Sequence, residues 1–181
     1  VEPNASGLGG EGMMLIYRAD KRTAVAIDYR SAAPATARFS SGTPATGHGA
    51  VAIPGTVAGL TTALQEYGTM KLAQVLAPAI KVAEEGFVVS PTLAGMIVEN
   101  FEEITRNEAL AAVFCPGGLP LEAGATLKNP DLGRSLRKIA VGGPDVFYRG
   151  ELADAIGAEV AAHKGFLSKA DLASYRAIKR E

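Results

Sequence analysis

From Thr56 to about Lys164 the apolar residues recur every three or four positions, and glycine or proline cuts the run into short segments. A chain patterned this way must place most of its length in helices that each bury one stripe. Val57, Leu60 and Leu64 predict a helix that opens at a Thr56 cap and closes at Gly68. Thr69 is expected to cap a second, over Leu72, Val75, Leu76, Ile80 and Ala83 to Gly86, with a kink or break at Pro78. Ser90-Pro91 predicts a third reaching about Arg106, because proline suits the first helical position. Further helical stretches are expected at Glu108 to Phe114, from Asn129-Pro130 to about Val141, and from Glu151 to Lys164 before Gly165. Ser168 and Asp171 stand at capping-box spacing, although Glu or Gln is the preferred partner there.

The pattern ahead of the helices is different. Val1 to Gly12 is rich in Pro, Asn, Ser and Gly and reads as a loop. Met13 to Tyr17 and Thr23 to Tyr29 have strand length, with Asp20-Lys21 as the turn and Val25, Ile27 and Tyr29 on one face. Together they predict a β-hairpin, apolar enough to be buried on both faces. Ser31 to Gly49, with Pro34 and Pro44, lacks periodicity, and long loops of this kind usually carry function or are disordered. Ala50 to Ile53 is expected to be one more short strand before Pro54-Gly55. A hairpin first and helices after implies an α+β or layered α/β fold. Residues 1–53 then form the hairpin and glycine-rich loops, and 54–181 the mainly helical part. The 32 alanines, against 6% aromatic residues, point to close helix contacts and a small-residue core.

Bulk properties remove several functions. Eighteen Lys+Arg against 19 Asp+Glu leave a net charge of −1, without the basic excess that nucleic-acid binding needs. No apolar run approaches the ~20 residues of a membrane helix. Val-Glu-Pro-Asn is neither basic nor apolar enough to open a signal peptide, and a chain running from Val1 to Lys-Arg-Glu is expected to be a fragment. Cys115 is the one cysteine and has no internal disulfide partner.

Few residues suggest chemistry. Gly7-Leu8-Gly9-Gly10-Glu11-Gly12 fits G-x-G-x-x-G, but the dinucleotide motif needs a strand before it and a helix after it. Here a loop precedes, a strand follows, and Glu11 would set a carboxylate beside the phosphates. A tight loop that lets backbone segments approach closely is the simpler reading. Arg30 ends the second strand and opens the aperiodic segment, a common place for a ligand contact. Its planar donors match a carboxylate two-to-two, whereas an exposed structural arginine is the default alternative. His48 and His163 are far apart and Cys115 has no partner at ligand spacing, so no metal site is expected. His163 is expected to complement a helix C-terminus. Glu84-Glu85, Glu102-Glu103 and Asp154/Glu159 read as solvated helix faces. No Gly-x-Ser-x-Gly elbow is present.

With these residues laid out, the chain resembles the γ-glutamyltranspeptidase (glutathione hydrolase) family in four ordered blocks. They are Glu2-Pro3 with Ser6 to Gly10 running into Met14 to Tyr17; Ala26 to Arg30 with Ala33-Pro34-Ala35; Ala50 to Leu60 continuing through Tyr67-Gly68 and Leu76 to Ile80 to Ala83 to Phe87; and Phe147 to Gly150 with Leu167, Asp171-Leu172 and Tyr175. Each is weak alone, and jointly they are specific.

The resemblance implies the helix-rich part of an N-terminal-nucleophile hydrolase with an αββα core, made as a precursor that cleaves itself into a large and a small subunit. The small subunit's new N-terminal threonine would attack a γ-glutamyl amide, its freed amine activating the hydroxyl. This chain would be part of the large subunit, with the nucleophile elsewhere, no cofactor, and the small subunit and a γ-glutamyl compound as partners. Arg30 alone carries over as a site residue, gripping the donor's α-carboxylate. The resemblance also implies a periplasmic or extracellular address. A hairpin torn from a larger sheet also implies self-association of the isolated chain. Glu11 and Met13 interrupt a stretch commonly Gly-Gly-Gly-Gly-Phe, and Ser31 stands where the family usually has Glu. Some relatives are cephalosporin or glutaryl acylases, which gives one alternative; a non-catalytic nucleotide-binding module is the other.

Overall fold

The computed structural model describes residues 2–38 and 46–180. Val1, Glu181 and the middle of the aperiodic segment, 39–45 with Pro44, lie outside the described residues. The chain divides into two compact units: one of Val1–Ala5 and Ala73–Arg137, the other of Ser6–Leu72 and Lys138–Glu181.

The second unit holds the hairpin. Strand β1 (Met13–Arg18) pairs antiparallel with β2 (Thr23–Asp28) from Met13 opposite Asp28 to Arg18 opposite Thr23. The turn places Arg22 in the left-handed region, at φ 53°. A third strand, β5 (Ile178–Arg180), unannounced by any alternation, pairs with the other edge of β2. Ile27 is fully buried at the centre of this sheet. The expected burial of both hairpin faces fails, because Met13, Leu15 and Tyr17 stand exposed along β1. These side chains alternate onto one face, and β1 is an edge strand. The strand expected at Ala50 to Ile53 reduces to a single bridge between Ile53 and Ala32, after a 3-10 turn at His48–Ala50.

Helix α1 (Thr56–Tyr67) begins at an N-cap Gly55, so Thr56 is the first helical residue and caps nothing. The substitution has a steric cause. A Cβ on Gly55 would lie 1.9 Å from the Tyr29 carbonyl oxygen, and one on Gly59 would lie 2.1 Å from the Tyr29 ring. Two bare glycines four residues apart thus let α1 press against the end of β2. Helix α1 ends at Gly68 as expected.

Helix α2 (Leu72–Glu85) carries the chain into the first unit and runs through Pro78 unsplit, ending at Gly86 with φ 95°. A two-residue ladder, β3 (Phe87–Val88) with β4 (Thr126–Leu127), follows. Ser90 caps α3 (Pro91–Glu99), its hydroxyl accepting from the Leu93 N–H. The single helix expected to Arg106 is broken at Asn100, and α4 (Phe101–Thr105) continues it. Asn107 caps α5 (Glu108–Phe114), and Asn129 accepts from the Leu132 N–H at the start of α6 (Pro130–Gly142). Val89, Leu93, Ile97, Cys115 and Leu127 form this unit's core. Burial raises the Cys115 thiol pKa.

Helix α6 leads back to the second unit, where α7 (Pro144–Tyr148), α8 (Glu151–Ala162) and α9 (Lys169–Ser174) follow in short succession. The Ser168/Asp171 capping box is fully formed. No helix among the described residues is long and apolar enough to cross a membrane.

Candidate functional site

Arg30 lies just past β2, on the wall of a cleft of about 560 Å³ within the second unit. The cleft draws on the end of β2 (Asp28), the segment after it (Ser31 to Ala35), Ile53, and the stretch from Asp171 to Ile178. The Arg30 side chain is exposed, and its backbone is tied on both sides. Its N–H donates to Asp28 Oδ1 at 3.1 Å, and its carbonyl accepts from the Tyr175 hydroxyl at 2.7 Å.

Tyr175 is itself held. Its ring stacks on Tyr148, with centroids 5.7 Å apart and planes 11° from parallel. The Tyr148 hydroxyl donates to the Pro54 carbonyl at 2.8 Å and accepts from the Ala58 N–H at 3.1 Å, which pins α7 to the first turn of α1. Burial pushes both phenols above their usual pKa, and the charges of Asp28 and Glu11 add to the effect at Tyr175. Both therefore remain hydroxyl donors at neutral pH, and the Arg30 carbonyl keeps its partner.

Two carboxylates adjoin Arg30, and each is engaged elsewhere. Asp28 accepts from the Arg30 N–H and from Arg180 Nε at 2.8 Å, which together hold its pKa low. Glu11 accepts from the Ser31 hydroxyl and N–H, both at 2.5 Å, and these bonds lower its pKa, with the charge of Arg30 assisting. Among the described residues no carboxylate forms an ion pair with the Arg30 guanidinium. Arg30 lines the cleft wall, and a guanidinium's planar donors are suited to an anionic group. Glu11 and Ser31, two of the three departures named above, are thus bonded to each other beside Arg30.

The glycine loop supports the same corner. The Gly10 carbonyl accepts from the N–H groups of Gly55 and Thr56, at 3.0 and 3.1 Å. These N–H groups open α1, and a dinucleotide loop would leave such donors for phosphate. The loop also continues into a strand, so the arrangement is the close-approach turn and not the nucleotide cradle. Gly12 prolongs the hairpin by exchanging hydrogen bonds with Tyr29.

The remaining sequence candidates fall on the surface. Glu84 pairs with Arg137, Glu85 with Lys81, Glu103 with Arg106 and Asp154 with Lys169. His48 and His163, 115 residues apart, come together against Glu159, which no sequence pattern announced. Tyr175 and Asp171, which hold the cleft, likewise carried no functional signal beyond their place in the fourth block.

The gamma-glutamyltranspeptidase family model matches residues 1–181. The chain is 42% identical, over 98% of its length, to the glutathione hydrolase proenzyme of Escherichia coli (strain K12), and covers 32% of that protein. It is 41% identical to the Acylase ACY 1 proenzyme of Pseudomonas sp. (strain SE83), covering 99% of this chain and 35% of the acylase. Among solved structures, Helicobacter pylori gamma-glutamyltranspeptidase superposes with a TM-score of 0.95 at 33% identity, over 100% of this chain and 55% of that one. The chain spans about a third of the length of these curated relatives. The α+β, helix-rich architecture with its N-terminal hairpin is the one the four sequence blocks imply, and the chain belongs to the γ-glutamyltranspeptidase family.

Proposed function

We propose that this chain is part of the large subunit of an enzyme that transfers or hydrolyses γ-glutamyl groups from glutathione or related amides, and that Arg30 grips the donor's α-carboxylate. The observation that carries the reading is a guanidinium on a cleft wall, without an ion-pair partner among the described residues, with its backbone fixed by Asp28 and Tyr175. A planar fork held this way pre-pays the orientation of the acyl group. The attacking threonine belongs to the small subunit of the same precursor. Its freed amine takes the hydroxyl proton, the oxygen adds to the γ-carbonyl, and the tetrahedral adduct breaks its C–N bond to release the donor's amine, which leaves with that proton. The γ-glutamyl ester then passes to water or an amine and the hydroxyl is restored. The large subunit's part is to hold the donor still. Periplasmic or extracellular residence goes with this assignment, and so does association of the isolated chain with itself.

The test is steady-state kinetics of the full precursor after self-cleavage. Arg30→Ala should raise KM for a γ-glutamyl anilide by at least about tenfold, because a charge-assisted, desolvated contact is lost. Arg30→Lys should recover part of this, since a point charge replaces the fork. Unchanged kinetics would remove Arg30 from the site.

A second reading is a related acylase, favoured by the Acylase ACY 1 relative at 41% identity. Parallel assays of γ-glutamyl and glutaryl amides separate them: only the γ-glutamyl group carries the α-amine.

A further inference from the structure

The C-terminal end of α8 assembles three side chains into a cluster separate from the Arg30 cleft. His48, in the 3-10 turn His48–Ala50, stacks its imidazole on that of His163, the residue ending α8, with ring centroids 4.1 Å apart and planes 10° from parallel. Glu159, one turn earlier on α8, sets Oε1 3.2 Å from His48 Nε2 and 3.3 Å from His163 Nδ1. One ligand atom from each residue falls within 4.8 Å of the other two. We propose that His48, Glu159 and His163 form a binding site for a divalent transition-metal ion of the zinc type.

The donor set fits. Two imidazoles and one carboxylate suit zinc and its neighbours, and three protein ligands leave a fourth position for water. The spacing fits as well. A tetrahedral ion with bonds of about 2.0–2.1 Å sets its ligand atoms roughly 3.3–3.4 Å apart, close to both carboxylate–nitrogen distances here.

The scaffold is built for the approach. Glu159 and His163 stand four residues apart and so share one face of α8. The helix closes with paired reversals, Gly165 N–H to Val160 O at 2.8 Å and Lys164 N–H to Ala161 O at 3.1 Å, with Lys164 at φ 59°. A Cβ on Gly165 would lie 2.4 Å from the His48 carbonyl oxygen, so the bare glycine is what admits the His48 turn.

Capture of the ion needs one rearrangement. Parallel rings cannot both aim in-plane lone pairs at one point, so one imidazole must tilt out of the stack. His163 has the room, its side chain being 52% exposed. Its Nδ1 would exchange a 2.9 Å contact with the Glu159 carbonyl oxygen for the metal. The bound ion would then tie the His48 turn to α8.

The test uses the full-length protein stripped of metal with a chelator and titrated with Zn²⁺ by calorimetry. Co²⁺ absorbance serves as a second readout of tetrahedral nitrogen and oxygen ligation. Wild type should take up one more equivalent than the His48→Ala/His163→Ala double variant. Glu159→Gln should weaken that equivalent by at least about tenfold. The single variant His163→Gln, at the more exposed ring, keeps the test decisive if the double variant does not fold. Arg30→Ala should bind metal like wild type, so the outcome stands apart from the γ-glutamyl reading. Equal stoichiometry and affinity in wild type and His163→Gln, or no uptake of either ion, would reduce the cluster to a stacked pair sharing a carboxylate and overturn the proposal.

Discussion

Asp171 closes a helix cap and also receives a bond from a distant loop. Its carboxylate accepts from the Ser168 hydroxyl and N–H, at 2.5 and 2.9 Å, and from the Ala35 N–H at 2.9 Å. Burial would raise its pKa, but these three bonds outweigh it and hold the group below its usual range. A depressed folded-state pKa contributes stability that is fully present above the unfolded value of about 3.9 and is lost as pH falls through the folded one. Asp171→Asn should therefore lower stability at neutral pH by about 1–3 kcal/mol, since the amide satisfies the three donors less well. In urea melts the gap between wild type and variant should narrow as pH drops below about 4. A gap that does not change between pH 7 and 3 would show that the carboxylate's charge is not what stabilises the loop. Residues of this kind mark the limit of reading by sequence. Ser168 and Asp171 are visible at a spacing of three, whereas the Ala35 N–H is 136 residues away. The position of Arg30, where a strand gives way to a loop, was legible because it is a local feature. Tyr175, which fixes its carbonyl, was not.

At the scale of elements, the Ser90, Asn129 and Ser168 caps and the glycine stops were legible, whereas Thr56 caps nothing and Pro78 splits no helix. Ser90, Asn107, Asn129 and Ser168 each take a first-turn N–H, and Gly68 and Gly86 end helices where expected. These are bonds within three or four residues, which the local chain decides. The break at Asn100, the strand β5 and the Gly55 cap depend on neighbours far along the chain, so periodicity missed them. Two glycines separate the local from the tertiary cause. Gly59 and Gly95 are both helical, and alanine is favoured over glycine in a helix by about 1 kcal/mol. A Cβ on Gly95 meets nothing within 4 Å, while one on Gly59 would strike the Tyr29 ring. Gly95→Ala should stabilise by up to about 1 kcal/mol. Gly59→Ala should destabilise by about 1–3 kcal/mol, as overpacking does, and should disturb the Arg30 corner through Tyr29. Denaturant midpoints with equal slopes would check both, and a stabilised Gly59→Ala would mean that α1 can shift away from β2 freely.

For the whole molecule, the bare face of β1 is the outstanding feature. Met13, Leu15 and Tyr17 are 56%, 75% and 64% exposed on an edge strand, a combination that invites another strand or apolar surface. Prepared alone, the chain should associate above micromolar concentration. Leu15→Lys with Tyr17→Lys should return it to the monomer in light scattering, since charge on an edge blocks pairing. A wild-type monomer would mean that this face is inert.

The Tyr175–Arg30 bond has a consequence in time. It spans 145 residues, and β5 and Asp171 close comparably long circuits onto β2 and Ala35. During translation at roughly 5–20 residues per second, the arginine corner leaves the ribosome about 7–30 s ahead of the tyrosine that completes it. The nascent polypeptide therefore carries Arg30 without its tyrosine partner throughout that interval. Anything that shields the early hairpin in that interval, a chaperone included, acts before the Arg30 cleft is complete.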